Sequence, residues 1–414
     1  MKKSVSKTQS ATARKASATG KSAASGRMAL YASVGETLTH YEVDVKNCTL
    51  NKKATVSVPD IIQYAWPDPK NAHLYVASSN GIPGQVGDHN FLTALRIDPV
   101  TGALSQHGAD ALLPSRPVHM SLDKTGKYAL AAYNAPLLAT VHRIAKDGTI
   151  GEEVPQPQGL DVGSYPHQIL AAPSNKLAII VSRGNRPKAN KPEEPGGLQV
   201  FRLRSGVLSN KATVAPNGGA GYGPRHLDFH PTKPWVFVAL ELQSKLHVYS
   251  LKDDVVSPEP LFSRDTLARS KRFLPPHQIA GTVHVHPNGR FVYVANRSSG
   301  TSEFEGKPCF VGGENNIAVF ALNARTGEPT LIQNADSHGI HARTFAIDPS
   351  GRMLVAAHIS AFTVRDSGST TRTVPACLST FRIGTDGKLT FVAKYDVPTE
   401  GMRRQWWMNI FRLA

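Results

Sequence analysis

The chain has 414 residues, a hydrophobic fraction of 40% and a formal net charge of +16, the balance of a folded, water-soluble protein. No stretch approaches the eighteen or more apolar residues of a membrane span. Cys48, Cys309 and Cys377 are odd in number and far apart, which argues against a disulfide framework or a zinc cluster and fits a reducing, cytoplasmic setting.

The first 27 residues carry Lys2, Lys3, Lys7, Arg14, Lys15, Lys21 and Arg27 and no acid. Such a composition cannot bury a core, so residues 1–27 are expected to be a disordered basic tail before one domain spanning 28–414. The tail lacks the apolar centre of a secretory signal, although its basic, Ser-rich character also suits an organelle transit peptide. The excess of basic residues points to a small anionic partner or to a solubilising surface; nucleic acid is not expected.

From residue 62 onward the chain repeats itself. Hairpin units begin near 62, 116, 165, 223, 281 and 341, roughly 50 to 60 residues apart, the spacing of four-stranded propeller blades. In order they read IQYAWPDPKNAHLYVASS, RPVHMSLDKTGKYALAAYN, YPHQILAAPSNKLAIIVSR, GPRHLDFHPTKPWVFVALE, GTVHVHPNGRFVYVANR and HARTFAIDPSGRMLVAAHI. Each is an alternating strand, a Pro/Asn/Gly/Ser turn and a Val/Tyr/Ala-rich second strand. Third strands follow at 92–98, 198–204, 245–251, 317–323 and 378–384, with fourth strands after the turns at 325–332 and 385–392. A seventh unit is split: Gln405–Phe411 supplies an inner strand, residues 29–33 the second and Thr37–Val43 the third. The expected fold is all-β, a seven-bladed propeller of four-stranded antiparallel blades closed by both chain ends in one blade, which removes free sheet edges.

The repeat sets a register. Counting from the turn residues Pro69, Lys124, Pro173, Pro231, Pro287 and Pro349, the positions six earlier are Gln63, Val118, His167, Arg225, Gly281 and Arg343. Those ten later are Asn134, Arg183, Glu241, Arg297 and Ile359, with Ser79 in the first unit. A regular hairpin sets the two columns opposite each other: Arg225 across from Glu241, Arg183 beside His167 and Arg297 beside Gly281, at the end where the inner strands line the channel mouth. Charged side chains seldom sit in such positions unless paired or functional. Arg225–Glu241 alone reads equally well as a structural ion pair, His167 alone as a core histidine, and Gly281 as a point of close backbone approach or of open space before Arg297. Only the cluster points to a site.

Other features carry less. His284 and His286 share a strand face without a carboxylate or third histidine at ligand spacing. His226 and His230 alternate likewise and suit packing and the turn. The glycines at 217–223 and 311–313 suggest flexible rim turns. No P-loop, G-x-S-x-G, H-E-x-x-H or dinucleotide motif stands in suitable context, and no metal or cofactor is expected.

The segments GPRHLDFHP…FVALELQSKLHVY, HVHPNGRFVYVANR and FAIDPSGRMLVAAH closely resemble the lactonase-type seven-bladed propellers, which include cycloisomerase-type 6-phosphogluconolactonases and carboxymuconate lactonising enzymes. The resemblance runs from about residue 28 to the end. It implies a catalytic set of His167, Arg225, Glu241 and Arg297, which the register had already selected; Arg183, Arg343 and His226, beside them in the repeat, are expected to bind substrate. Departures lie at VSRGNRPKANKPEEPGG, where the family often has a DLG-type segment, and at the insertion FEGKPCFVGGEN (304–315).

The resemblance implies a hydrolase of carbohydrate metabolism that opens a small anionic lactone without a metal. Arg225 and Arg297 would meet the substrate anion and the developing oxyanion. Glu241, kept ionised by Arg225, would activate water while His167 shuttles the proton. The same groups run in reverse make a lactonising cycloisomerase, and a non-catalytic propeller binding a partner or an anion is the third reading. Oligomeric state is not set by these residues.

Overall fold

Alternating side chains and tight turns make each unit a meander whose apolar faces are covered by the next unit. The computed structural model describes Met1 and residues 26–270, 274–275, 277–366 and 370–414; the expected disordered tail lies outside the described residues over 2–25. Seven antiparallel sheets form the blades. The innermost strands of the first six are Ile62–Pro67, Pro117–Leu122, Pro166–Ala171, Pro224–Phe229, Ile279–Val285 and Ala342–Ile347. In the seventh, the C-terminal strand Met408–Arg412 pairs with Met28–Val34, followed by Thr37–Asp44 and Thr49–Ser57. Both chain ends therefore share one blade, as expected, with the inner strand beginning three residues later than the pattern suggested.

The core is a series of inter-blade clusters rather than one centre. Ala29, Tyr31, Leu74, Val76 and Phe411, for example, join the seventh blade to the first. Polar latches repeat with the blades. Tyr31, Tyr75 and Tyr293 hydroxyls donate to the carbonyls of Gly102, Gly148 and Gly387 at 2.7–2.8 Å. His230 and His286 reach the carbonyls of Gly289 and Gly351 at 2.9 and 2.7 Å, so these two histidines tie each blade to the following turn.

The expected register needs one correction. In each of the six hairpins the ladder slips where the inner strand has an extra residue. Pro166 pairs with Ser182 and Gln168 with Val181, leaving His167 outside the ladder. Arg225 and Arg343 are bypassed in the same way, as are Gln63 and Val118; the fifth blade slips between Ala280 and Val283. The column six residues before the turn is thus a column of β-bulges, which re-aim a side chain and are common beside functional sites. Arg225 consequently lies against the Ala239–Leu240 step, not across from Glu241. Arg183 stands opposite Tyr165, whose carbonyl accepts its backbone N–H at 3.0 Å, and Arg297 pairs with Ile279 rather than Gly281.

An eighth sheet was not anticipated. Two hairpins, Thr301–Phe304 with Lys307–Phe310 and Phe362–Arg365 with Thr371–Val374, meet through the parallel contact Phe310–Val364. They are inserted after the second strands of the fifth and sixth blades, so they rise from the same end of the ring as the bulges.

Candidate functional site

Glu241 is the centre of the bulged rim. Its Oε1 accepts from Arg183 Nη1 at 3.0 Å and its Oε2 from Arg297 Nη2 at 3.0 Å. Arg225 Nε lies 2.8 Å from Oε2 as an ion pair, off the hydrogen-bond direction. These guanidiniums come from the third, fourth and fifth blades, so one carboxylate fastens three blades at the mouth. Arg225, Arg297 and Glu241 are 1%, 2% and 6% exposed, and charge so fully buried is retained only where it is paired. Arg297, expected to have no partner, finds Glu241 across the blade boundary. Gly281 provides the close approach: a Cβ there would lie 3.3 Å from Arg297 Nε.

The remaining expected residues stand around this hub. His167 and His226 meet edge to face with ring centres 5.2 Å apart, and Arg225 Nη1 is 3.3 Å from His226 Nε2. Arg183 also stacks on Tyr165 at 4.0 Å and bonds Asn185 Oδ1 at 2.8 Å. Arg343 rests over the Trp406 ring at 5.0 Å and makes no ion pair among the described residues.

Reading the sequence missed His341, His119, Tyr64, Tyr165, Trp406 and Arg116. Arg297 Nη1 is 3.1 Å from His341 Nε2. A guanidinium only donates, so Nε2 accepts and the proton sits on Nδ1. Tyr165 and His341 both adopt left-handed backbone, with φ of 57° and 58°, and Asn315 Oδ1 accepts the His341 backbone N–H at 2.8 Å. Arg116, Tyr165 and His341 share one column, two residues before the bulge, so comparing that column across the repeats would have revealed them. Its fourth-blade member is Gly223 (φ 57°), where a Cβ would meet Leu242 Cγ at 2.4 Å. Gly223 and Gly219, the latter held against Gly196, are therefore packed rather than flexible rim turns.

Four arginines (Arg183, Arg225, Arg297 and Arg343) stand against one carboxylate, so this cluster carries surplus positive charge. Burial alone would raise the Glu241 pKa, but Arg297, Arg225, Arg183 and Arg343 together outweigh it and hold the carboxyl below its usual range. Burial pushes Arg343 down to about 9, with Arg297 adding to the effect. Buried side-chain nitrogens without hydrogen-bond partners gather here: His119 Nε2, His167 Nδ1, Arg297 Nε, His341 Nδ1 and Trp406 Nε1. Such groups cost about 1–3 kcal/mol each when unsatisfied, so each calls for water or a ligand as its partner. Among the described residues no group of three His, Cys, Asp or Glu side chains is arranged to hold a metal ion.

Burial first, and Arg225 next, drives His119, His167 and His226 well below the ordinary histidine pKa; for His341 burial is followed by Arg297. Burial also pushes His247 and His358 down to about 4. Below pH ~6.5 the unfolded chain takes up protons that these folded histidines refuse. Stability should therefore be full above pH ~6.5 and fall as the pH drops toward 4, by about 1.4 kcal/mol per pH unit for each histidine still neutral. Denaturant midpoints should stay level from pH 7.5 to about 6.5 and decline from there to pH 5; a series flat throughout would contradict neutral buried imidazoles.

Comparison with known proteins agrees with the propeller fold. Residues 26–399 match the family described as Lactonase, 7-bladed beta-propeller. The chain is 30% identical over 304 residues to a 6-phosphogluconolactonase of Pectobacterium carotovorum, covering 73% of this chain and 79% of that one. It is 26% identical over 320 residues to the 6-phosphogluconolactonase of Bacillus subtilis, covering 77% and 83%. Among solved structures, the periplasmic gluconolactonase of Pseudomonas aeruginosa superposes with a TM-score of 0.68 at 20% identity, over 94% of this chain and all of that one. A protein from Lactobacillus plantarum gives 0.67 at 20% identity, over 93% and 98%. Among the described residues no helix is long and apolar enough to cross a membrane.

Proposed function

Because this chain belongs to the lactonase seven-bladed β-propeller family, we propose that it is a hydrolase opening a small anionic lactone at the Glu241-centred rim. The observation that carries this reading is the excess of buried guanidinium over carboxylate around a pair of neutral histidines. An anion is the ligand that such a field selects. The P. carotovorum and B. subtilis relatives bear the name 6-phosphogluconolactonase, which makes 6-phosphoglucono-δ-lactone the first substrate to test.

We assign the roles differently from the expectation drawn from the sequence. Glu241, bonded on both oxygens and acidified by its arginines, has little affinity for a proton; we assign it to holding Arg183, Arg225 and Arg297 in place. His167, neutral at pH 7, is the base. It takes a proton from water as the water oxygen bonds to the lactone carbonyl carbon, and the carbonyl pair moves onto oxygen, where Arg297 meets the charge. The carbonyl re-forms, the ring C–O bond breaks, and the departing alkoxide recovers the proton from His167. The product acid then ionises. A bound substrate anion offsets part of the field that depresses His167 and so raises its basicity when the base is needed.

Arg343 is the guanidinium not engaged by Glu241, and it is assigned to the substrate anion. Arg343→Met should raise KM about 10- to 100-fold with little change in kcat, the loss of one charge-assisted contact; a fall in kcat at constant KM would refute that assignment. The activity itself is tested by following acid release in a pH-stat, with a chelator present, from 6-phosphoglucono-δ-lactone and δ-gluconolactone, and by following carboxymuconate by absorbance. Lactone opening well above the spontaneous rate is expected. Turnover of carboxymuconate alone would make the protein a lactonising cycloisomerase, and tight anion binding without turnover a binding propeller. We place the protein in the cytoplasm, since Cys48, Cys309 and Cys377 are buried free thiols; recovery in a periplasmic or organellar fraction would overturn that placement.

A further inference from the structure

Arg297 is held from two sides, and only one of them is Glu241. Its Nη2 donates to Glu241 Oε2 at 3.0 Å and its Nη1 to His341 Nε2 at 3.1 Å. His341 is clamped in turn. It sits in left-handed backbone with φ of 58°; its N–H donates to Asn315 Oδ1 at 2.8 Å and its carbonyl accepts the Ile359 N–H at 3.2 Å. The same Asn315 oxygen accepts the N–H of Ser298, the residue after Arg297, at 3.0 Å. An atom that receives two N–H groups is the amide oxygen, which fixes the orientation of the side chain. The main-chain carbonyl of Asn315 is fastened by the N–H and hydroxyl of Ser337 at 3.0 and 2.9 Å. One asparagine therefore ties the strand end that presents Arg297 to the segment that presents His341, across the boundary of the fifth and sixth blades. It is also the last residue of the 304–315 insertion, which helps to build the rim sheet.

We propose that His341, clamped by Asn315, is a positioning residue: it aims the Arg297 guanidinium at the developing oxyanion without quenching its charge. This rests on the lactonase reading and adds to it how the oxyanion-binding group is held. A second carboxylate at Nη1 would orient Arg297 equally well, but it would cancel the surplus charge that the oxyanion needs. An imidazole kept neutral by burial and by Arg297 accepts the N–H and leaves that charge in place.

The test sets His341→Gln against His341→Asn in the full chain. Glutamine offers Arg297 an acceptor at the ε position. Asparagine is too short to reach it but suits left-handed backbone better, so it should be the gentler change for stability and the harsher one for rate. In His341→Asn, kcat on 6-phosphoglucono-δ-lactone and on δ-gluconolactone should fall by the same factor, about 10- to 100-fold, with KM moving less than about threefold. His341→Gln should recover most of that loss. Asn315→Ala should repeat the effect, and joining it to His341→Asn should cost no more than about threefold beyond the larger single loss, since both act through Arg297. A His341→Asn rate as high as that of His341→Gln, a loss confined to one lactone, or independent losses that multiply in the double variant would overturn the proposal. If Asn315→Ala does not fold, the two His341 variants carry the comparison. If the wild type opens neither lactone, the lactonase reading fails by itself, and ring-nitrogen NMR of His341 then decides its role. A fixed Nδ1–H tautomer that becomes mixed in Asn315→Ala upholds the positioning; identical ring spectra overturn it.

Discussion

Replacing Glu241 by glutamine should be the most damaging conservative change in the protein, lowering both stability and turnover. The side chain keeps its shape, but the buried Arg225 and Arg297 and the part-buried Arg183 lose the one carboxylate with which they are paired among the described residues. Removing one partner of a buried pair costs about 3–5 kcal/mol, because the remaining charge stays desolvated. Here the remaining charges also repel one another across three blades. Activity should fall at least about 10³-fold, since Arg297 would no longer be held where the oxyanion forms. The cause can be separated from simple misfolding: Arg225→Met added to Glu241→Gln removes an uncompensated charge and should recover part of the lost stability without recovering activity. Additive losses in the double variant would show that the three arginines are not organised through Glu241.

His167→Asn should lower kcat by about 10²–10⁴-fold while changing KM and stability little, because the position lies outside the strand ladder and its Nδ1 makes no hydrogen bond. The pH profile provides the companion observation. Burial and the surrounding arginines hold the His167 pKa well below 6.5, so the basic form persists under mildly acidic conditions and is lost only as the pH falls through the depressed value. The acid limb of kcat/KM for the wild type should therefore lie below pH 6.5, and it should be absent from the residual rate of His167→Asn. An acid limb near 7, or one retained by the variant, would assign the base elsewhere.

The repeat made the blades legible because hairpin chemistry recurs in every unit, and strand periodicity needs no tertiary information. The same alignment also selected His167, Arg225, Glu241 and Arg297; the fold joins the last three directly and sets His167 against His226, which Arg225 touches. What it misjudged was how they meet. A bulge adds a residue to the inner strand without altering the pattern of apolar positions, so Arg225–Glu241 looked like a cross-strand pair and Arg297 like a cation without a partner. Contacts between blades, such as Arg297 to Glu241 and to His341, depend on ring closure and have no local signature. The rim sheet was hidden for a similar reason. Its strands are four residues long and belong to two insertions separated by more than fifty residues, so neither reads as half of a sheet. Arg116 and Tyr165 were on view in the sequence, but two positions before the column that holds Val118 and His167.

The most direct measurement is a crystal structure of the full chain soaked with 6-phosphogluconate, the acid that lactone opening would release. The account predicts the product carboxylate beside Arg297 and His167 and its phosphate toward Arg343, with Glu241 still bonded to its arginines. Product bound on the outer surface of the ring, or a rim left empty at saturating concentration, would contradict it.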